Sequence, residues 1–168
     1  MSDRTALLAT YQNGATALLD ALKDVPHDAM TWRPAPGEWS VAEVLWHCAE
    51  CEAVFHTRVR TMWIGPERTV VAFDQEDWAA MPGYEGLPVE TAVEVIRSTR
   101  AMTSALLDRL PDDAWDAEGR NTERGRVTLE DIVTHAAGHL DIHARQIWDN
   151  VRAWRAQAGQ EDANSGAR

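Results

Sequence analysis

Apolar residues recur every three or four positions through four long stretches of the chain, the period of a helix with one buried face. The first stretch, about Thr5 to Lys23, sets Leu7, Leu8, Tyr11, Ala15, Leu18, Leu19 and Leu22 on one side. The second opens at Ser40 and runs to about Trp63. Its stripe is Val41, Val44, Leu45, Cys48, Phe55, Val59 and Met62, and Ser40-x-x-Glu43 is a capping box, which gives Glu43 a structural role first. The third spans about Pro88 to Leu110, with Val89, Val93, Ile96, Leu106, Leu107 and Leu110 facing inward. The fourth starts at Thr128, where Asp131 follows as a helix-start signal, and runs to about residue 156 with Leu129, Ile132, Val133, Ala136, Leu140, Ile147 and Val151 inside.

Between these stretches the pattern breaks. Pro26, Pro34 and Pro36 forbid helix in the first connector, where Trp32 and Trp39 supply apolar weight for packing. Ile64 to Leu87 is irregular, with a short helix expected around Gln75 to Ala80. A connector of that length inside a compact domain is often a lid over a site. Residues 111 to 127 read as a further polar connector. The pattern predicts an all-α domain, a four-helix bundle with long connectors between helices 2 and 3 and between helices 3 and 4. It occupies residues 1–156 as a single domain, and the small polar tail, 157–168, is expected to be disordered.

Composition narrows the function. The net charge is −11, and Lys23 is the only lysine among 16 basic residues. Nucleic acid and anionic membrane surfaces are poor partners for such a chain, because phosphate neutralisation needs clustered cations. No signal segment or spanning apolar run is visible, so a cytoplasmic location is expected. Eight tryptophans are many, and Trp46 and Trp148 fall off their helix stripes, which suggests a homo-oligomer surface.

The chemistry sits in the fourth helix. His135, His139 and His143 follow one another at four-residue spacing, so their imidazoles project from one side about 6 Å apart along the axis. His143 lies just inside the apolar stripe, His139 at its margin and His135 further round. Two imidazoles one turn apart at a core margin are placed to share a metal ion but need a third ligand. His47, on the shoulder of the second helix's stripe, is the best candidate. Neutral imidazoles suit zinc, nickel, iron or copper, and three of them leave coordination open for water or substrate. A helix with His-x-x-x-His and no metal is the plain alternative. His27 and His56 have no such partners and read as surface residues.

Cys48-x-x-Cys51 is formally a redox spacing. It lies two turns inside a helix, with Cys48 on the apolar stripe, so packing is the better reading, and Cys51 could line the His47 pocket. Glu130, Asp131 and Asp141 are alternatives for orienting an imidazole.

Two motifs resemble the DinB family, which includes YfiT-like proteins. One is Trp39-Ser40-x-x-Glu43-x-x-x-His47 behind the turn at Trp32, Pro34 and Pro36. The other is His135-x-x-x-His139-x-x-x-His143-x-x-Gln146-Ile147. The resemblance covers essentially the whole chain. It implies a four-helix bundle, commonly dimeric, with a divalent ion (zinc, nickel, iron or manganese) held by His47, His139 and His143. It also implies activation of a low-molecular-weight thiol, bacillithiol, mycothiol or glutathione, for S-transfer to an electrophilic small molecule. The competing expectations are a metal-dependent hydrolase using activated water, a non-catalytic metal-binding stress protein, and redox work by Cys48 and Cys51.

Overall fold

The second and last long helices each begin where a side chain answers open backbone donors of the first turn, whereas the third starts behind Pro88 with no side-chain cap. The computed structural model describes residues 4–65, 68–80, 84 and 86–165. At Ser40 both halves of the expected capping box are formed: the Ser40 hydroxyl accepts from Glu43 N–H and the Glu43 carboxylate from Ser40 N–H. At Thr128 the reciprocal pair is Thr128 N–H to Asp131 Oδ2 at 2.8 Å and Asp131 N–H to Thr128 Oγ1 at 3.1 Å. These starts fix the two helices that carry the histidines.

The helices are α1 (Arg4–Leu22), α2 (Val41–Ile64), α4 (Val89–Leu107) and α5 (Leu129–Ser165), with the short α3 (Gln75–Ala80) in the expected place within the long connector. They form a four-helix bundle in which α1 packs on α5 and α4, and α2 on α4 and α5. The named stripes of α2 and α5 are buried throughout. The close α1–α5 approach is set partly by Gly14, where an added Cβ would stand 3.4 Å from the Leu140 Cβ. No helix among the described residues is long and apolar enough to cross a membrane.

Three features depart from the sequence expectation. First, the connectors hold a small sheet, β1 (Arg68–Val70), β2 (Glu118–Asn121) and β3 (Gly125–Thr128), in the order β1-β2-β3, parallel and then antiparallel. The β2–β3 turn is built by Asn121 Oδ1, which accepts from Glu123 and Arg124 N–H, and by Gly125 at φ +78°, where a side chain would be strained. Second, α5 is helical to Ser165, past the expected end near 156. The run Arg155-Ala156-Gln157-Ala158 is made of good helix formers with no proline to stop it. Of the tail 157–168, only 166–168 lie outside the described residues. Third, His56 is half-buried, its Nδ1 2.9 Å from Thr103 Oγ1, whereas His27 is exposed as expected. Trp148 is 51% exposed, but Trp46 is half-buried against the core.

One buried polar cluster ties all four long helices together. Arg100 of α4 donates to the carbonyl of Tyr11 in α1 at 2.9 Å, to that of Ala136 in α5, and to the Glu52 carboxylate in α2. Tyr11 O–H donates to the other Glu52 oxygen, and the guanidinium lies over the Tyr11 ring at 3.9 Å. Arg100 and Glu52 are both almost fully buried.

Candidate metal centre

The histidines meet where α2 crosses α5. His47 Nε2 lies 3.2 Å from His139 Nε2, and His143 Nε2 lies 3.2 Å from the same atom. The structure therefore brings together the three residues singled out in the sequence. His135 points into the neighbouring cleft instead, its ring 6.3 Å from that of His139 and outside the Nε2 cluster. His47 is more deeply buried than a shoulder position suggested, at 1% exposure, because the Trp39 ring covers it at 4.8 Å. Asn150 anchors Trp39 by donating to its carbonyl at 2.8 Å.

With His47 Nε2 and His143 Nε2 each 3.2 Å from His139 Nε2, the cluster is not a satisfied hydrogen-bond group. A single proton on His139 Nε2 can be donated to one of the two neighbours and leaves the other nitrogen without a partner. A cation satisfies all three at once. A tetrahedral ion with ordinary metal–imidazole bonds separates its ligand nitrogens by about 3.3 Å, which matches the two spacings to His139 Nε2. His143 is already oriented for this, since its Nδ1 faces Gln146 Oε1 at 2.8 Å and donates to it, leaving Nε2 unprotonated. His139 Nδ1 is buried with no partner.

The electrostatics favour neutral, ligating imidazoles. Burial, then the neighbouring His143, pulls the His47 pKa down to about 4. Burial, then His143 and His47, pulls His139 down to about 2. Burial also lowers His143, with Gln146 opposing. The donor set fits a divalent metal.

Cys51 adds a donor. Its Sγ lies 3.5 Å from His47 Nε2, and His47, Cys51 and His139 form a compact group of possible ligands, as do Cys48, His139 and His143. Burial, then Glu52, raises the Cys51 thiol to about 12, and Cys48 is raised by burial and then by Cys51. Free thiols held that far from ionisation are poor redox nucleophiles, which weighs against the Cys-x-x-Cys redox reading.

His139, His143 and Cys51 open onto a cleft of about 690 Å³, with His47 behind them. Its outer wall is the two long connectors, through Phe73 and Gln75 on one side and Asn121 and Arg124 on the other, so the segment expected as a lid does border the site. Arg58 and Arg124 line this cleft and were not singled out from the sequence. Arg58 carries the one available signal, falling two turns after Cys51 on the same face of α2.

Residues 10–147 match the model of the DinB superfamily. The chain belongs to the DinB superfamily. A protein of Oceanobacillus iheyensis, provisionally named a metal-dependent hydrolase, is 26% identical to this DinB chain over 140 residues, 83% of this chain and 79% of that one. YfiT from Bacillus subtilis, described as a probable metal-dependent hydrolase with an unusual four-helix bundle topology, matches with a TM-score of 0.82 at 15% identity, over 90% of this chain and 89% of the other. A variant of a mycothiol-dependent maleylpyruvate isomerase matches at a TM-score of 0.70 and 14% identity, over 85% of this DinB chain and 60% of its own. At such identities the two structural likenesses speak for the DinB fold alone.

Proposed function

We propose that this chain is a metal-dependent enzyme that delivers a low-molecular-weight thiol to a small electrophilic molecule. The observation that carries the reading is the approach of the His47 and His143 Nε2 atoms to 3.2 Å from that of His139, beside an open cleft. His47, His139 and His143 would hold a divalent cation, whose chemistry there would be to lower the pKa of a thiol and so make it a nucleophile at neutral pH.

The chain's own residues do the rest. His47 is held rigid between Trp39 and the core, and Gln146 fixes the tautomer and tilt of His143. Phe55, with its ring 5.6 Å from that of His139, gives the inner wall an apolar face that limits water at the reacting end. The cleft volume accommodates a thiol and a second small molecule together.

Hydrolysis is the second reading, and His135 favours it. This residue lines the cleft one turn before His139, and burial, then Arg124 and Arg58, lowers its pKa, which leaves it a neutral base able to take a proton from water. The names of the Oceanobacillus and Bacillus relatives agree with this reading.

The discriminating experiment presents the metal-loaded protein with mycothiol, bacillithiol or glutathione plus monobromobimane, and separately with a panel of esters, amides and lactones. Metal-dependent conjugation that disappears in His139→Ala supports thiol transfer. Turnover on the second panel alone, lost in His135→Ala, transfers the assignment to hydrolysis. A fully metal-loaded protein inert on both panels refutes both and leaves a metal-binding stress protein. We further propose a second copy of the chain as the partner for exposed Ile142 and Trp148 on α5, testable by sedimentation of wild type and Trp148→Glu.

A further inference from the structure

Arg58 is an unusual cation for the wall of this cleft. Its guanidinium lies 5.9 Å from the centroids of both Phe55 and Phe73, and its Nη2 donates to the Val71 carbonyl at 2.8 Å. Its Nε is shut off from solvent and has no hydrogen-bond partner. Among the described residues no carboxylate stands within ion-pair distance of it. Two cleft acids are engaged elsewhere: Asp74 caps α3 by accepting from Glu76 and Asp77 N–H, and Asp131 caps α5. Glu123 is exposed and acts on Arg58 only across a distance.

Arg124 enters the same cleft from the β2–β3 turn, and both guanidiniums are close enough to His135 to disfavour its protonation. Two arginines thus face one cavity beside the candidate metal centre, whose lining also includes Asp74, Glu76, Glu123 and Asp131. A guanidinium fork matches a carboxylate in two parallel hydrogen bonds, and partial burial on aromatic rings strengthens that pairing relative to water.

We propose that Arg58, assisted by Arg124, anchors a carboxylate of the small-molecule substrate and holds it across the cleft from His139 and His143. The substrate class is then a small organic acid. The role of the anchor in turnover rests on the metal-dependent reading above; its binding of a carboxylate does not. Arg58 also pins the segment after β1 through Val71 and Phe73, so the test must separate binding from folding.

Succinate, its uncharged twin succinamide and inorganic phosphate are titrated calorimetrically into the full-length, zinc-loaded protein, with metal content and melting temperature recorded for every variant. The expected result is that succinate binds and succinamide does not. Arg58→Gln, which keeps a donor for the Val71 carbonyl, weakens succinate at least tenfold, and Arg124→Gln weakens it several-fold, with zinc content unchanged. Adding Arg58→Gln to His139→Ala weakens the remaining succinate affinity by a similar factor, so the result holds whether or not the histidines bind metal. Equal succinate affinity in wild type, Arg58→Gln and Arg124→Gln overturns the proposal, as does equal binding of succinamide. Phosphate binding more tightly than succinate overturns the carboxylate class. Should Arg58→Gln fail to fold, exposed Arg124 carries the test, and unchanged succinate affinity in Arg124→Gln overturns the proposal.

Discussion

Replacing Arg100 with methionine removes a side chain that joins all four long helices. It strands the Glu52 carboxylate, which is 0% exposed, and takes a donor from the Tyr11 and Ala136 carbonyls. Burial already raises the Glu52 pKa, and Arg100 opposes that rise, so without Arg100 the carboxylate must protonate or draw water into the core. Breaking a buried pair from one side costs about 3–5 kcal/mol. For a chain of this length that is a fall of about 10 °C in melting temperature, or about 2 M in urea midpoint. The double variant Arg100→Met/Glu52→Leu tells a different story. The two carbonyls keep their intrahelical partners, and Tyr11 O–H retains the Thr103 hydroxyl within reach, so no charge is left unpaired. Replacing both members of such a pair with apolar groups is often neutral, and the double variant should recover most of the single variant's loss. Urea denaturation of wild type, both single variants and the double variant measures this coupling. A loss under about 1 kcal/mol in Arg100→Met, or a double variant no better than the single, would refute the reasoning.

Two further outcomes follow from the structure. An added Cβ at Gly119 would stand 2.7 Å from the Arg68 carbonyl oxygen and 2.9 Å from Met62 Cε, so Gly119→Ala should cost about 2 kcal/mol, whereas Gly138→Ala, with nothing within 4 Å, should be neutral or stabilising; thermal melts compare them. Burial holds His47 neutral down to about pH 4, while an unfolded chain protonates it below about 6.5. The unfolded state therefore binds more protons between those values, and the chelator-treated protein should be fully stable above pH 6.5 and lose stability as pH falls towards 4. His139 and His143 are shifted the same way, so His47→Phe should make that fall shallower without abolishing it in pH-dependent melts, and parallel curves for the two proteins would contradict the assignment.

Much of the fold was legible because its signals are local. Ser40-x-x-Glu43 and Thr128-x-x-Asp131 mark helix starts by chemistry confined to four residues, and both capping pairs are formed. The convergence of His47 with His139 and His143 followed from their places at the margins of two apolar stripes. The sheet was not legible. Strands of three and four residues, RTV, EGRN and GRVT, are too short to show alternation, and the β1–β2 pairing joins segments some fifty residues apart. The Arg100–Glu52 cluster was missed for a different reason. Arg100 continues the inward series Ile96, Thr103, Leu107 at helical spacing, and Glu52 lies between Cys48 and Phe55 on theirs, so each charge stood on a buried stripe where only its opposite number could make burial tolerable.

The most direct test of the central claim is elemental mass spectrometry of the untagged protein, wild type beside His47→Ala and His143→Ala. These residues lie on different helices, and both Nε2 atoms meet that of His139 at 3.2 Å. The wild type should carry close to one divalent metal per chain, and both variants should lose it. A wild-type protein that holds no metal after incubation with zinc, nickel and manganese, or a His47→Ala variant that keeps a full complement, would contradict that claim.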